Sequence, residues 1–176
     1  MRVIAGTYGG RRLQAPPGRD TRPTSDRVRE ALFSVLGDLE GARVLDLYAG
    51  SGALGIEALS RGAASCEFVD HAAAAVGTIR ANLETLGIDA QVHRREALKA
   101  LSDASGRAAA YDLVFLDPPY RHPAGLGRAL SDALPAVLAA GARVVTECDR
   151  RNELALDLPP TFERRYGDTR IRIHDA

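Results

Sequence analysis

Two rhythms of apolar residues alternate along this chain. Short runs of aliphatic and β-branched residues at 43–47, 66–70, 90–93, 113–116 and 143–147 have the length and composition of strands. Between them apolar residues recur at helical spacing. One such stretch covers 53–60, and the next carries Val76, Ile79, Leu83 and Leu86. A short one lies near 97–101, and the last carries Leu126, Leu130, Leu134, Val137 and Leu138. Strand and helix in strict alternation predict an α/β fold, a Rossmann-like parallel sheet with helices on both faces. The tail breaks the rhythm: 162–166 and 170–174 are strand-like and are joined by Gly167-Asp168, a hairpin turn, so the sheet is expected to end in an antiparallel edge.

The first 40 residues read differently. Runs at 2–5 and 11–14 flank a turn rich in glycine (Gly6, Gly9, Gly10), which suggests a small β-hairpin. A loop with Pro16, Pro17, Gly18 and Pro23 follows, and then a helix from about residue 25 to 36. Thr24 or Ser25 caps this helix, Val28, Leu32, Val35 and Leu36 form its apolar stripe, and Gly37 closes it. The expected organisation is therefore a hairpin-and-helix appendage over 1–40 and a sheet domain over 41–176.

Composition narrows the reading only a little. The chain has 176 residues, 45% of them apolar and 26% charged, with a formal net charge of zero. That is ordinary globular composition and gives no overall field for a polyanion. Positive charge is almost all arginine, with Lys99 the one lysine. Cys66 and Cys148 sit in apolar stretches and read as buried free thiols of a reducing compartment. The N-terminus has no long apolar segment, and no run approaches the roughly 20 residues of a membrane span. A soluble, cytoplasmic protein without a metal site, and a monomer, is expected.

Candidate chemistry lies in two loops. The first runs Asp46-Leu47-Tyr48-Ala49-Gly50-Ser51-Gly52-Ala53-Leu54-Gly55, from the first strand into a helix. Gly50, Gly52 and Gly55 match GxGxxG, and Asp70 ends the next strand. Alone, this also fits a dinucleotide site. Asp46 separates the two readings. A carboxylate at the mouth of the loop repels a pyrophosphate but suits the ammonium and sulfonium of S-adenosylmethionine. Asp70 can accept from ribose hydroxyls, while Glu96, followed by Ala97 after the third strand, can reach an adenine edge or simply charge a helix N-terminus.

The second loop, Asp117-Pro118-Pro119-Tyr120, follows the fourth strand. Ligands of open α/β sheets bind beyond the carboxyl ends of the strands at the topological switch point, which the first and fourth strands flank. Methylating a base amino group needs acceptors for its hydrogens, because its lone pair is delocalised into the ring. Asp117 offers a carboxylate and Pro118 a carbonyl; Pro119 stiffens the loop and brings no competing N–H. Tyr120 offers a face on which an extruded base can stack.

In these two motifs the chain resembles the class I amino-methyltransferases. It is similar in particular to the bacterial 16S rRNA (guanine-N2)-methyltransferases of the RsmD type. The opening Arg2-Val3-Ile4-Ala5-Gly6 with Gly10-Arg11-Arg12-Leu13, the run from Arg22 to Phe33, Leu47 to Gly52, and Tyr166-Gly167-Asp168-Thr169 carry the resemblance. It implies a seven-stranded sheet of order 3-2-1-4-5-7-6, S-adenosylmethionine as donor, and N2-methylation of one guanine in the small ribosomal subunit. It places donor-site roles on Asp46, Gly50, Gly52, Asp70 and Glu96, and target-site roles on Asp117, Pro118, Pro119 and Tyr120. Glu96 stands where the family usually has Asp. Two rival readings are a DNA adenine-N6 (or other) amino-methyltransferase and a non-catalytic RNA-binding module.

One charge cluster adds a partner. Over residues 1–29, Arg2, Arg11, Arg12, Arg19, Arg22, Arg27 and Arg29 face only Asp20 and Asp26, a local balance of +5. A basic arm on a neutral protein is an electrostatic footprint for phosphates, and Arg11, Arg12, Arg22, Arg27 and Arg29 are its expected RNA contacts.

Overall fold

The computed structural model describes residues 1–17, 25–119, 125–149 and 153–176. It contains a seven-stranded sheet of order β3-β2-β1-β4-β5-β7-β6. In chain order the elements are α1 (Asp26–Leu36), β1 (Arg43–Leu47), α2 (Ala53–Ser60), β2 (Ser65–Asp70), α3 (Ala73–Leu86), β3 (Gln91–Arg94) and α4 (Ala97–Gly106). Then follow β4 (Tyr111–Leu116), α5 (Leu126–Ala133), β5 (Leu138–Asp149), β6 (Pro160–Tyr166) and β7 (Thr169–Asp175). The pairs β1–β2, β1–β4, β2–β3 and β4–β5 are parallel, and β7 runs antiparallel between β5 and β6. Tyr166 pairs with Thr169 across a two-residue loop in which Gly167 has φ +64°, the left-handed conformation that a first central residue of a hairpin turn needs. Among the described residues no helix is long and apolar enough to cross a membrane.

Period-2 alternation sorts the strands into two cores. Val44, Phe68, Leu113, Phe115, Val145, Ile171 and Ile173 face α1, α2 and α3, whose Leu32, Phe33, Ile56 and Ile79 complete one cluster. Leu45, Leu47, Val69, Val114, Leu116 and Val144 face the opposite way, against Leu101 of α4 and Leu130 of α5. Both faces are covered, as a parallel sheet requires. Cys66 and Cys148 are buried free thiols, as expected.

Several sequence expectations shift. The helical stripe ending in Val137 and Leu138 stops early. Pro135 tightens Leu134–Ala136 into a 3₁₀ turn, and Leu138 already belongs to β5. Between Tyr111↔Leu138 and Leu113↔Arg143 the ladder absorbs extra residues in a bulge, with Gly141 at φ +73°. The N-terminal hairpin is held by one isolated bridge, Arg2↔Arg12, rather than by two full strands. In α1, Ser25 caps the Val28 N–H, and the buried stripe is Val28, Arg29, Leu32, Phe33 and Leu36, while Val35 is exposed.

The described residues among the first 40 share the sheet's core rather than forming a separate one. Val3, Leu13, Leu32 and Phe33 join the sheet's cluster on the α2 side. Gly6, at φ +80°, lies so close to α2 that an added Cβ would fall 1.7 Å from the Ser60 carbonyl oxygen. A buried carboxylate anchors the segment. Glu57 accepts the Ile4 and Ala5 N–H groups at 2.7 and 3.1 Å, and the Arg61 guanidinium at 2.7 Å. Arg29 closes the network: it is fully buried, donates to the Arg2 carbonyl and to Asp26, and lies 3.9 Å from Glu57. Arg29 is thus corrected from an RNA contact to an internal strut, because no polyanion reaches a side chain with no exposed surface. Arg29→Ala leaves the Glu57 carboxylate short of a partner. It is expected to lower the free energy of unfolding in urea by about 3 kcal/mol and to strip hydrogen-exchange protection from residues 2–13.

Candidate active site

The carboxyl ends of β1, β2 and β4 stand in register, with Leu47 paired to Val69 on one side and to Leu116 on the other. The next residue of each strand, Tyr48, Asp70 and Asp117, therefore emerges at one edge of the sheet. The two loops singled out from the sequence open at that edge.

The glycine loop is shaped by its surroundings. Tyr48 has φ +62°, a costly conformation for a side-chain-bearing residue, and Gly50 and Gly52 follow at φ +57° and +78°. The Ala49 N–H bonds to Val69 O at 3.0 Å, and the Gly52 N–H bonds to Ala49 O at 2.7 Å, so the chain turns tightly into α2. Gly55 meets a different demand: an added Cβ would fall 2.4 Å from the Phe68 ring and 2.6 Å from Cys66 Sγ. The third glycine of the motif is required by helix–strand packing. Around Gly50, by contrast, an added Cβ meets nothing nearer than the Tyr48 carbonyl oxygen at 4.0 Å, leaving backbone open to a ligand.

Asp70 holds the loop from the side. Its two carboxylate oxygens accept the Gly50 N–H and the Ala72 N–H, both at 2.9 Å. Each oxygen keeps a further lone pair for hydroxyl donors. Asp46 does not stand at the mouth of the loop as expected. It is 2% exposed, and its carboxylate accepts the Gly55 N–H at 3.0 Å from beneath the first turn of α2. It lies within β1, paired to Phe68 and Phe115, so alternation turns its side chain under the helix. Burial, opposed by the Gly55 bond and helped by the charge of Asp70, pushes its carboxyl up to about 7.

Glu96 occupies the N-cap position of α4 without a capping bond from its side chain, and Ala97 begins the helix, buried. Tyr48 is pushed up to about 12, first by burial and then by the charge of Glu96. Asp117 keeps an exposed edge, yet its carboxyl is pushed well above the usual carboxylate range. Burial is the first cause, the charge of Glu147 the second and that of Asp46 the third. Pro118 is buried and Pro119 exposed. Tyr120 and Arg22 lie outside the described residues.

Two contributors escaped the sequence reading of this end of the sheet. Glu147 of β5 is 6% exposed. Asn82 of α3, 1% exposed, bonds the Ser51 carbonyl of the glycine loop at 2.9 Å and both backbone groups of Gln14 at 2.8 and 3.1 Å. Periodicity alone could have flagged both as polar residues on apolar faces.

S-adenosylmethionine fits this crevice. Open glycine backbone, a carboxylate with spare lone pairs and a buried acid suit a cationic, hydroxyl-bearing ligand without phosphate. The buried acid also sets a pH dependence. Asp46 binds its proton more tightly folded (about 7) than unfolded (near 3.8), so its contribution to stability is present below about 4 and is lost as pH rises to about 7. Asp46→Asn keeps an acceptor for Gly55 and removes that loss. At pH 8 it is expected to be more stable than the parent by on the order of a few kcal/mol in urea denaturation, with no gain at pH 4. Calorimetry at pH 8 is expected to show weaker donor binding by the variant.

Known proteins share the sequence pattern and the fold. A family model described as "Conserved hypothetical protein 95" matches residues 1–175. The candidate rRNA methyltransferase YlbH of Bacillus subtilis (strain 168) is 43% identical over 185 residues, covering 99% of this chain and 98% of its own. Ribosomal RNA small subunit methyltransferase D of Escherichia coli (strain K12) is 41% identical over 123 residues, covering 69% of this chain and 61% of its own. The solved structure of yhhF, a candidate methyltransferase of Escherichia coli, superposes with a TM-score of 0.83 at 34% identity, covering 99% of this chain and 97% of that one. A match over nearly the whole chain, on a sheet whose order and glycine loop fit, makes this protein a member of the RsmD-type methyltransferase family that the model "Conserved hypothetical protein 95" describes.

Proposed function

We propose that this protein transfers a methyl group from S-adenosylmethionine to the exocyclic N2 amino group of a guanine in 16S rRNA of the small ribosomal subunit. The observation that carries the reading is the proximity of the two loops. β1 and β4 pair in register up to Leu47 and Leu116, so the glycine loop and the Asp117 loop leave neighbouring strands at the same edge of the sheet. A donor held by the glycine loop and a base held by the Asp117 loop would then share one crevice. The name of the Escherichia coli relative points to small-subunit rRNA as its substrate.

The bound donor supplies a methyl group on a sulfonium, an electrophilic carbon with a neutral thioether as leaving group. Gly50 and Gly52 present backbone to it, Asp70 can accept its ribose hydroxyls, and Asp46 balances its positive charge. Asp117 and the Pro118 carbonyl would accept the two hydrogens of the base amino group, aiming the nitrogen lone pair away from the ring plane. As the new N–C bond forms, the nitrogen must shed a proton. Asp117, whose proton affinity burial raises, would take it.

In the N-terminal segment, Arg11, Arg12 and Arg27 are exposed and can meet phosphates. Asp117→Ala is expected to lower single-turnover methyl transfer to small subunits by about 10³-fold, with donor affinity in calorimetry unchanged. Equal turnover in that variant overturns the assignment. Replacing Arg11 and Arg12 together by Gln is expected to weaken subunit binding and to reduce the salt slope of log K by about two; an unaltered slope removes the arm from the interface.

A further inference from the structure

The turn Tyr166-Gly167-Asp168-Thr169 takes no part in the methyl transfer described above, yet the sheet brings it to the edge where the crevice opens. Thr169 pairs with Asp149 at the end of β5, and Tyr166 pairs with Thr169. Just below this tip, one row of residues crosses four strands. Leu116 pairs with Thr146, so Asp117 and Glu147 follow side by side. Glu147 pairs with Ile171, and Ile171 with Arg164 of β6. Neighbouring strands lie about 4.8 Å apart, so three steps separate Asp117 from Arg164 by roughly 14 Å. Directly paired residues point to the same side of a sheet. Ile171 packs in the cluster that holds Phe115 and Val145, and Phe162 and Tyr166, which alternate with Arg164 on β6, rest against it too. Arg164 therefore shares both a row and a face with Asp117.

The two sides of the hairpin treat their arginines differently. On the far face the half-buried Arg170 and Arg172 pair with Glu153 and Glu163, and the charge of Arg165 also acts on Glu163. On the Asp117 face Arg164 is exposed, and its guanidinium carbon lies 5.5 Å from the centre of the half-buried Tyr166 ring. A ring attracts a cation without neutralising it. It also holds the planar group in place, so less freedom is lost when an anion arrives. α1 lies on the same face. Arg143 bonds the carbonyl of its last residue, Leu36, at the amino side of the sheet, while Phe33 meets Phe115 close to the carboxyl edge. The first turn of α1, with exposed Arg27, is therefore directed toward that edge as well.

We infer that the β6–β7 hairpin is a second RNA contact, separate from the N-terminal arm: the Arg164 guanidinium, braced by Tyr166, takes a backbone phosphate of a nucleotide flanking the target. The inference rests on the small-subunit RNA reading above and deepens it. An RNA strand whose target base enters beside Asp117 must leave the crevice over one side of the sheet. Positive charge, a shared face and a short span favour the side of β6. Phosphate contacts of this kind fix the register of the strand and carry no base preference. Arg164 thus docks the substrate and stays clear of the transferred methyl group.

The test exploits the alternation of β6, which puts Arg164 and Arg165 on opposite faces with the same charge. Binding to small subunits from cells lacking this protein is measured over a series of salt concentrations for the parent, Arg164→Gln and Arg165→Gln. Arg164→Gln is expected to bind about tenfold more weakly near ~0.1 M salt and to reduce the salt slope of log K by about one. Arg165→Gln is expected to stay within about twofold of the parent, as ordinary surface substitutions do, and to keep its slope. Arg164→Lys keeps the charge and is expected to keep the slope, which separates phosphate contact from a packing defect. In Arg164→Gln the donor affinity by calorimetry and the single-turnover rate at saturating subunits are expected to match the parent. An unchanged slope in Arg164→Gln overturns the inference. If binding weakens at that unchanged slope, the hairpin meets a protein surface instead of phosphates. Equal losses of slope in both Gln variants also overturn it, since diffuse net charge then explains the effect. A parent that neither binds nor methylates small subunits, but labels duplex DNA, overturns the RNA reading and this inference together. A parent that methylates small subunits while Arg164→Gln binds them equally well overturns the role of the hairpin alone.

Discussion

Like charges crowded at one dry end of a sheet are the constraint on which this molecule turns. Asp46, Asp117 and Glu147 come from neighbouring strands β1, β4 and β5, on one face, near one edge. Burial raises the proton affinity of both Asp46 and Asp117, helped by the charge of Asp70 at Asp46 and by the charges of Glu147 and Asp46 at Asp117. A cation bound beside such acids would favour their charged forms and displace the protons that burial retains. Stability given up by burying acids is recovered on binding.

That arrangement follows from alternation and register more than from any single loop. Once Val44, Leu113 and Phe115 turn toward α1 and α2, Asp46 and Asp117 must turn the same way, two residues on. The same parity puts Leu45, Leu47, Val114 and Leu116 against α4 and α5, leaving the acids no route to that face. A one-residue slip of β4 against β1 would send Asp117 to the wrong side. The register is held by hydrophobic burial on both faces, and it fixes the side to which a carboxylate just past the end of a strand must turn.

Much of this was legible in the sequence. The strand–helix rhythm, the glycine loop and the Gly167-Asp168 turn all obey local rules, and the sheet order follows from the family resemblance they support. What was not legible depended on partners far away in the chain. Arg29 looked like one of a cluster of surface arginines. Yet it shares the stripe of Val28, Leu32, Phe33 and Leu36, and its counterpart, Glu57, lies on a helix that is buried along nearly its whole length. Charge was counted where periodicity should have been read first. Asp46 looked like the mouth of a loop because sequence adjacency to glycine says nothing of depth. The bend at Tyr48 depends on a positive φ that no residue type announces. Pro135 did announce the end of a helix, but the apolar spacing across it masked the break.

The N-terminal segment shows how the appended part serves the sheet domain. Asn82 bonds the glycine loop through the Ser51 carbonyl and the segment through both backbone groups of Gln14, and Ser51 Oγ lies 3.5 Å from Met1 Sδ. Arg29, Glu57 and Ser60 fix the other side of the same segment to α1 and α2. A stretch of chain that carries exposed Arg11 and Arg12 is therefore also a wall behind the donor loop. Its position cannot change without breaking bonds to Ser51, a residue of the loop itself. Gln14 and Asn82 thus tie the stretch that carries Arg11 and Arg12 to the Ser51 carbonyl, in the turn between Gly50 and Gly52.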